Sequence, residues 1–283
     1  MKFLLGTSRG GRNFQIFPDD TFLVSYPKSG NTWTRFLVAN LLHPDEPVTF
    51  ANIERIVPDN VKNTRKELAR IPRPRIVKSH EYFDCRYKKL IYIVRDPRDI
   101  VVSYYHYHLK TRVIEDGFPL AQYVARFLRG EVDAYASWSE NVLSWLATRG
   151  ESPDFLLLRY EDMMANPLAE LRKIAAFLGL PRSEEQLAKA VERSSADRMR
   201  ELEKKEANVW INTKKTRKDI PFVRTAKSGG WKESLPADLA QQIESAWGPT
   251  MRKLGYALSS ANPRQAAVED RGEVGASLHG SKF

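Results

Sequence analysis

The sequence predicts an α/β fold, a three-layer sandwich in which helices cover both faces of a central parallel sheet. Two observations carry that expectation. Four short, largely apolar runs, Thr21–Tyr26, Arg75–Ser79, Leu90–Arg95 and Phe155–Tyr160, have the length and near-continuous hydrophobicity of strands buried on both faces. Segments of helical periodicity fill the intervals between them, and a parallel sheet needs such crossovers.

Taken in order, Thr21–Tyr26 is rich in β-branched and aromatic residues. Pro27-Lys28-Ser29-Gly30 then breaks the run before the helical pattern Trp33, Phe36, Leu37, Asn40, Leu41 begins, which reads as strand, tight loop, helix. Arg75–Ser79 and Leu90–Arg95 follow as strands. Helices are predicted over Pro97–Leu109, Leu120–Leu128 and Tyr135–Thr148, and after the strand Phe155–Tyr160 over Pro167–Leu178, Ser183–Arg193 and Leu235–Leu254. No internal repeat interrupts this order. Ser259–Phe283 lacks periodicity and is rich in Gly, Ala, Ser and charge, so it reads as a mobile tail behind one domain of residues 1–258.

Composition bounds the function. A chain of 283 residues with 42% apolar content is long enough for one deep core. Its net charge of +10 favours anionic partners without choosing among nucleic acid, acidic membranes and phosphorylated ligands. No recognised nucleic-acid motif appears, so a nucleic-acid partner is not expected. The single cysteine, Cys85, excludes an intramolecular disulfide and leaves too little thiol for a structural zinc site, which fits a reducing cytoplasm. The apolar start Met1–Leu5 is shorter than a secretory core, and no segment approaches the ~20 apolar residues of a membrane span. The expectation is a soluble cytoplasmic enzyme without integral membrane association.

The chemistry concentrates at strand ends. Tyr26-Pro27-Lys28-Ser29-Gly30-Asn31-Thr32-Trp33 sits where a buried strand hands over to a helix. Backbone N–H groups at a helix N-terminus attract an anion, Gly30 allows close approach and Lys28 adds a full charge, so a phosphate can settle there. The order Gly-x4-Gly-Lys-Ser/Thr is absent, since Lys28 precedes Gly30; a nucleotide-dependent kinase on this cradle is therefore the alternative, not the leading reading.

The octapeptide resembles the phosphosulfate loop of the cytosolic sulfotransferases, Pro-Lys-Ser-Gly-Thr-Thr-Trp, with only Asn31 departing. The likeness runs from about Phe17 to Tyr256. It implies a P-loop NTPase-like sulfotransferase fold and the donor 3′-phosphoadenosine 5′-phosphosulfate (PAPS), released as PAP, with no metal. Lys28, Ser29, Gly30, Asn31, Thr32 and Trp33 then belong to the donor site.

Three further segments extend that reading. Arg95 ends a strand with a forked, permanently charged donor set, and Ser103 lies eight residues on, about two helical turns away. Resemblance assigns both to the 3′-phosphate. In Arg75-Ile76-Val77-Lys78-Ser79-His80, a neutral histidine at a strand end can accept a proton from an attacking hydroxyl. The family places its catalytic histidine at His80 and its strand lysine at Lys78. Arg224-Thr225-Ala226-Lys227-Ser228-Gly229-Gly230-Trp231-Lys232 resembles the family's Arg-Lys-Gly-x-x-Gly-Asp-Trp-Lys, but Thr225 replaces a lysine, Ala226 a glycine and Gly230 an aspartate. Lys227 is the candidate to make up the lost cation. Tyr160 and Ser194 match family positions of the nucleotide site, whereas Ala196 stands where relatives carry a stacking phenylalanine, which implies weaker adenine packing.

For the acceptor, a small molecule, the aromatic run Tyr104–His108 supplies Tyr107 and His106, and Phe17 and Phe83 complete the expected pocket. Phenol, alcohol, amine, lipid and glycan all stay open. The basic run Lys214-Lys215-Thr216-Arg217-Lys218 reads as a solvated loop or a lid. The family's dimer motif fails here, because Pro236 and Ala237 follow Lys232 and Gln241 replaces the acid.

Overall fold

The computed structural model describes residues 11–259. Its sheet holds β1 (Thr21–Ser25), β2 (Ile76–Ser79), β3 (Lys89–Val94) and β4 (Phe155–Arg159), all parallel, in the order β2-β1-β3-β4. The helices are α1 (Asn31–Leu42), α2 (Ile53–Ile56), α3 (Arg65–Arg70), α4 (Pro97–Thr111), α5 (Leu120–Leu128), α6 (Trp138–Arg149), α7 (Tyr160–Ala165), α8 (Pro167–Leu178), α9 (Glu184–Arg193), α10 (Ala196–Glu206), α11 (Trp231–Ser234) and α12 (Ala237–Lys253).

Alternation along the strands builds the layers. Leu23, Ile91 and Ile93 share one core with Phe36 and Leu37 of α1, Ile174 of α8 and Leu187 of α9. Their neighbours face the other way: Phe22 stacks on Tyr87 at 3.6 Å, and Tyr92 packs against Trp145 of α6 at 6.3 Å between ring centroids. Both faces of the sheet are thus covered, as the apolar strands required.

Differences from the sequence reading have local causes. The strands stop before Tyr26, Arg95 and Tyr160: Tyr26 and Arg95 lie in the loops that follow, and Tyr160 opens α7. The helix expected from Tyr135 starts at Trp138, because Ser137 caps it: its Oγ accepts from the Glu140 N–H, and the Glu140 carboxylate accepts from the Ser137 N–H. Of the helices not predicted, α2, α3, α7 and α11 are short, and α10 buries only Met199, Leu202 and Glu203 along a polar sequence. The described residues form two compact units that divide after Leu235. In the second, α12 leads to Ser259, whose N–H and Oγ donate to the Glu244 carboxylate. The rest of the expected tail lies outside the described residues. None of the described helices is long and apolar enough to cross a membrane.

A buried ion pair ties the entrances of β1 and β2. Arg75 donates through Nε to Asp20 Oδ1 at 2.8 Å, through Nη1 to the Leu68 carbonyl at 2.8 Å and through Nη2 to the Gln15 carbonyl at 2.8 Å, and both charged side chains are inaccessible to water. Removing one partner strands the other's charge in the core. Asp20→Ala is expected to lower stability by about 3–5 kcal/mol, read from the urea midpoint, and an unchanged midpoint would refute the assignment.

Candidate active site

The carboxyl ends of the strands gather the predicted chemistry, as open parallel sheets do. Lys28 lies in the turn after β1, and His80, Arg95 and Tyr160 are the residues that follow β2, β3 and β4. A cavity of about 500 Å³ opens above them. Of the predicted residues its walls take in Lys28, Gly30 to Trp33, Lys78, His80, Arg95, Ser103, Tyr107, Tyr160 and Arg224 to Ala226. The rest lie elsewhere. Ser29 is fully buried, and the Ser194 hydroxyl is committed to the Ala190 carbonyl and to Asn40 Nδ2. Phe17 stacks on the guanidinium groups of Arg73 and Arg75, Phe83 packs on Trp145, and His106 turns its ring against Tyr105, so Tyr107 alone of the four acceptor-pocket candidates is a cavity wall. Aromatic character cannot separate a pocket wall from a core contact, which is why the sequence misplaced them.

Backbone geometry shapes the cradle. Lys28 (φ 69°) and Gly30 (φ 91°) both adopt left-handed conformations, and Gly30 caps α1 with no side chain bonded to its first amides. A Cβ on Gly30 would sit 2.4 Å from the Tyr160 ring, so both conformation and space demand glycine. The half-buried Lys28 ammonium lies 4.3 Å from the Tyr107 ring centre and 4.8 Å from that of Phe222. Burial, then repulsion from Arg95 and Arg224, lowers its pKa to about 7.

A second cationic pocket lies beside it. Arg95 lays its guanidinium 4.3 Å above the Tyr160 ring and donates to the carbonyls of Lys28 and Lys227, both at 3.1 Å, while its buried Nε has no hydrogen-bond partner among the described residues. Asp99 of α4 accepts from the N–H groups of Gly229 at 2.7 Å and Trp231 at 2.9 Å, which fastens the 224–231 segment next to Arg95. Arg224, on that segment, has its pKa lowered by burial and by Arg95, the mark of two cations facing one space. Lys227 is exposed and contributes its carbonyl, not its ammonium, to this arrangement.

His80 is held neutral and in one tautomer. Its Nδ1 lies 2.7 Å from the Ser25 carbonyl, which only accepts, so Nδ1 carries the proton and Nε2 is bare. Ser25 Oγ, 3.4 Å from the same nitrogen, accepts from Asn31 Nδ2 at 3.1 Å, which links the cradle to the histidine. Burial, then the Lys78 charge, lowers the His80 pKa to about 3. Lys78 is itself paired with Asp59 at 2.8 Å. Burial alone would raise the Asp59 carboxyl, but Lys78 and Arg35 hold it below the usual carboxylate range.

Asp59, Tyr135 and Phe222 also wall the cavity and were not singled out, since no local motif marks them. Phe222 belongs to a segment held by its main chain: Lys110 Nζ donates to the carbonyls of Arg217 at 2.8 Å and Ile220 at 2.7 Å, and Glu203 accepts from the N–H groups of Phe222 and Val223. Within the basic run, Arg217 pairs with Asp116 and Asp219, and Lys218 donates to the carbonyls of Ala207 and Thr213. Lys214 and Lys215 are exposed.

A family model described as a sulfotransferase domain matches residues 18–255. The chain belongs to the sulfotransferase family. Sulfotransferase 1B1 of Canis lupus familiaris is 32% identical over 235 residues, 77% of this chain and 79% of the relative. Sulfotransferase 1E1 of Bos taurus is 30% identical over 254 residues, 84% of this chain and 85% of the relative. Mouse sulfotransferase SULT7A1, solved with PAP, superposes with a TM-score of 0.69 at 26% identity over 88% of this chain and 91% of that one. The fold is shared with retinol dehydratase, solved with androsterone and PAP (TM-score 0.68, 21% identity, 88% of this chain and 85% of that one). This sulfotransferase therefore carries the P-loop-like α/β fold its motifs implied, and the comparisons lend the kinase alternative no support.

The depressed histidine is directly measurable. Because burial opposes its charged form, His80 in the free protein is expected to stay neutral from pH 8 down to pH 5, followed by the NMR shifts of its ring. A midpoint near the ordinary ~6.5 would contradict the described environment.

Proposed function

We propose that this enzyme moves a sulfonate group from PAPS to the hydroxyl or amine of a small acceptor by direct in-line displacement, releasing PAP without a metal. The observation that carries this reading is the pair of cationic pockets in one cavity, Lys28 with the cradle amides at one and Arg95 with Arg224 and Ser103 at the other. A nucleotide with a 5′-phosphosulfate and a 3′-phosphate bears anions at both ends; ATP lacks the second. The PAP bound in mouse SULT7A1 supports the same donor here.

His80 Nε2 takes the acceptor's proton as the new O–S or N–S bond forms and the bond from sulfur to the bridging oxygen breaks. The electron pair leaves on the 5′-phosphate oxygen, where Lys28 neutralises the developing charge. The main-chain amides of Gly30 to Thr32 hold the group in line, and Lys78, fixed by Asp59, assists from β2. Trp33 and Tyr160 offer the adenine its aromatic faces. Ala196 and Thr225 leave gaps where the family has a phenylalanine and a lysine. Tyr135, its ring 5.6 Å from that of His80, and Tyr107 and Phe222, packed against the Lys28 ammonium, give the cavity aromatic walls, which favours a small acceptor with an apolar body. The exposed thiol of Cys85 supports a reducing cytoplasm.

Calorimetry at fixed salt tests the donor: PAP is expected to bind at least ~10-fold tighter than ATP, from its extra charge-assisted contacts, and equal affinity would sink the two-pocket reading. His80→Ala should keep that PAP affinity while turnover falls ~10²–10⁴-fold; near-parental turnover would remove the base.

Lys28 makes binding proton-linked. Its pKa of about 7 leaves it largely neutral at pH 8, and incoming anions raise that pKa, so PAP binding at pH 8 takes up protons and weakens as pH rises further. Calorimetry in two buffers of different ionisation enthalpy should register the uptake, and Lys28→Met should abolish it. An uptake that survives the substitution would place the titrating group elsewhere.

A further inference from the structure

Asn141 lies in the first turns of α6, fully buried, and is not a wall of the cavity. None of its polar atoms is idle. Its Nδ2 donates to the His80 carbonyl at 3.2 Å and to the Tyr135 carbonyl at 3.0 Å, and its Oδ1 accepts from the Tyr92 hydroxyl at 2.7 Å. Further along the same helix face, Ser144 Oγ accepts from the Phe83 N–H at 3.1 Å, and Trp145 Nε1 donates to the Glu81 carbonyl at 3.0 Å. Positions 141, 144 and 145 thus grip the main chain of residues 80–83 at successive points.

We propose that Asn141 is a positioning residue for the reaction, one that sets the His80 imidazole and the Tyr135 wall relative to each other. The inference rests on His80 being the base. The histidine then has two anchors, its ring on the Ser25 carbonyl at 2.7 Å and its own carbonyl on Asn141, and with both in place Nε2 keeps one direction into the cavity. Tyr135 is fixed by the same amide and by its N–H to Asp133, with its ring 5.6 Å from the histidine ring. Two carbonyls converging on one side chain select an amide; an aspartate there would set oxygen against oxygen. Tyr92, on β3, supplies the hydroxyl that fixes which way the amide faces.

The test compares Asn141→Ala, Asn141→Asp and Tyr92→Phe with the parent. His80 is one of five histidines, so its ring nitrogens can be assigned by NMR and their tautomer followed without any ligand. In the parent, one tautomer with the proton on Nδ1 is expected, and in Asn141→Ala an exchanging mixture. With PAPS and 4-nitrophenol, kcat should fall ~10–10²-fold in Asn141→Ala while PAP affinity stays within about 2-fold, the split expected of a misdirected base. Tyr92→Phe should move both readouts the same way by less, and carries the test if Asn141→Ala does not fold. An unchanged His80 tautomer in Asn141→Ala, or in Tyr92→Phe where only that variant folds, overturns the role; so does a parallel loss of PAP affinity and kcat, which a merely structural residue would give. Failure of PAP to bind the parent would defeat the donor reading alone, because the tautomer comparison needs no nucleotide.

Discussion

The structure depends on keeping cations close together, with the Asp99 carboxylate 3.8 Å from the Arg95 guanidinium to offset part of their charge. Lys28, Arg95 and Arg224 face one cavity, and the pKa values of Lys28 and Arg224 are lowered by burial first and by that crowding second. Such an arrangement does not assemble itself; it is imposed by four parallel strands ending side by side, each delivering its next residues to the same edge. The strands are held in turn by apolar layers on both faces and, at the opposite edge, by the sealed pair Arg75–Asp20. Repulsion at one end of the sheet is therefore carried by cohesion everywhere else.

The same electrostatics prepares the chemistry. Burial and the positive charge of Lys78 keep the His80 ring unprotonated at any ordinary pH, and the Ser25 carbonyl decides which nitrogen keeps its lone pair. Lys78 can be this close because Asp59 shares its charge. Lys28 and His80 are thus parts of one charge distribution, and the Asn31 side-chain amide, donating to Ser25 Oγ, links the segments that carry them.

Much of this was legible in the sequence where the signal was local. A strand followed closely by a motif residue put Lys28, His80, Arg95 and Tyr160 at strand ends, and there the structure has them lining one cavity, because the end of a parallel strand fixes where its next side chains go. Ser137-x-x-Glu140 would have corrected the start of α6, had the capping pattern been weighed above the apolar periodicity that Tyr135 seemed to continue. What stayed hidden was tertiary. Asp59, Phe222 and Asn141 each meet at least one partner distant in the chain, Lys78, Tyr107 and His80 respectively, and nothing near them announces it. Phe17, Phe83 and His106 failed for the complementary reason: apolar and aromatic type says that a side chain will be covered, not by what.

Phe222 hangs on main-chain bonds to Lys110 and Glu203, and its own side chain takes no part in holding the segment's hydrogen-bonded frame. Such an attachment is indifferent to sequence at the positions it supports. Residues on this stretch can drift through mutation while the frame persists, so this wall of the cavity can change shape without the main chain beneath it being rebuilt.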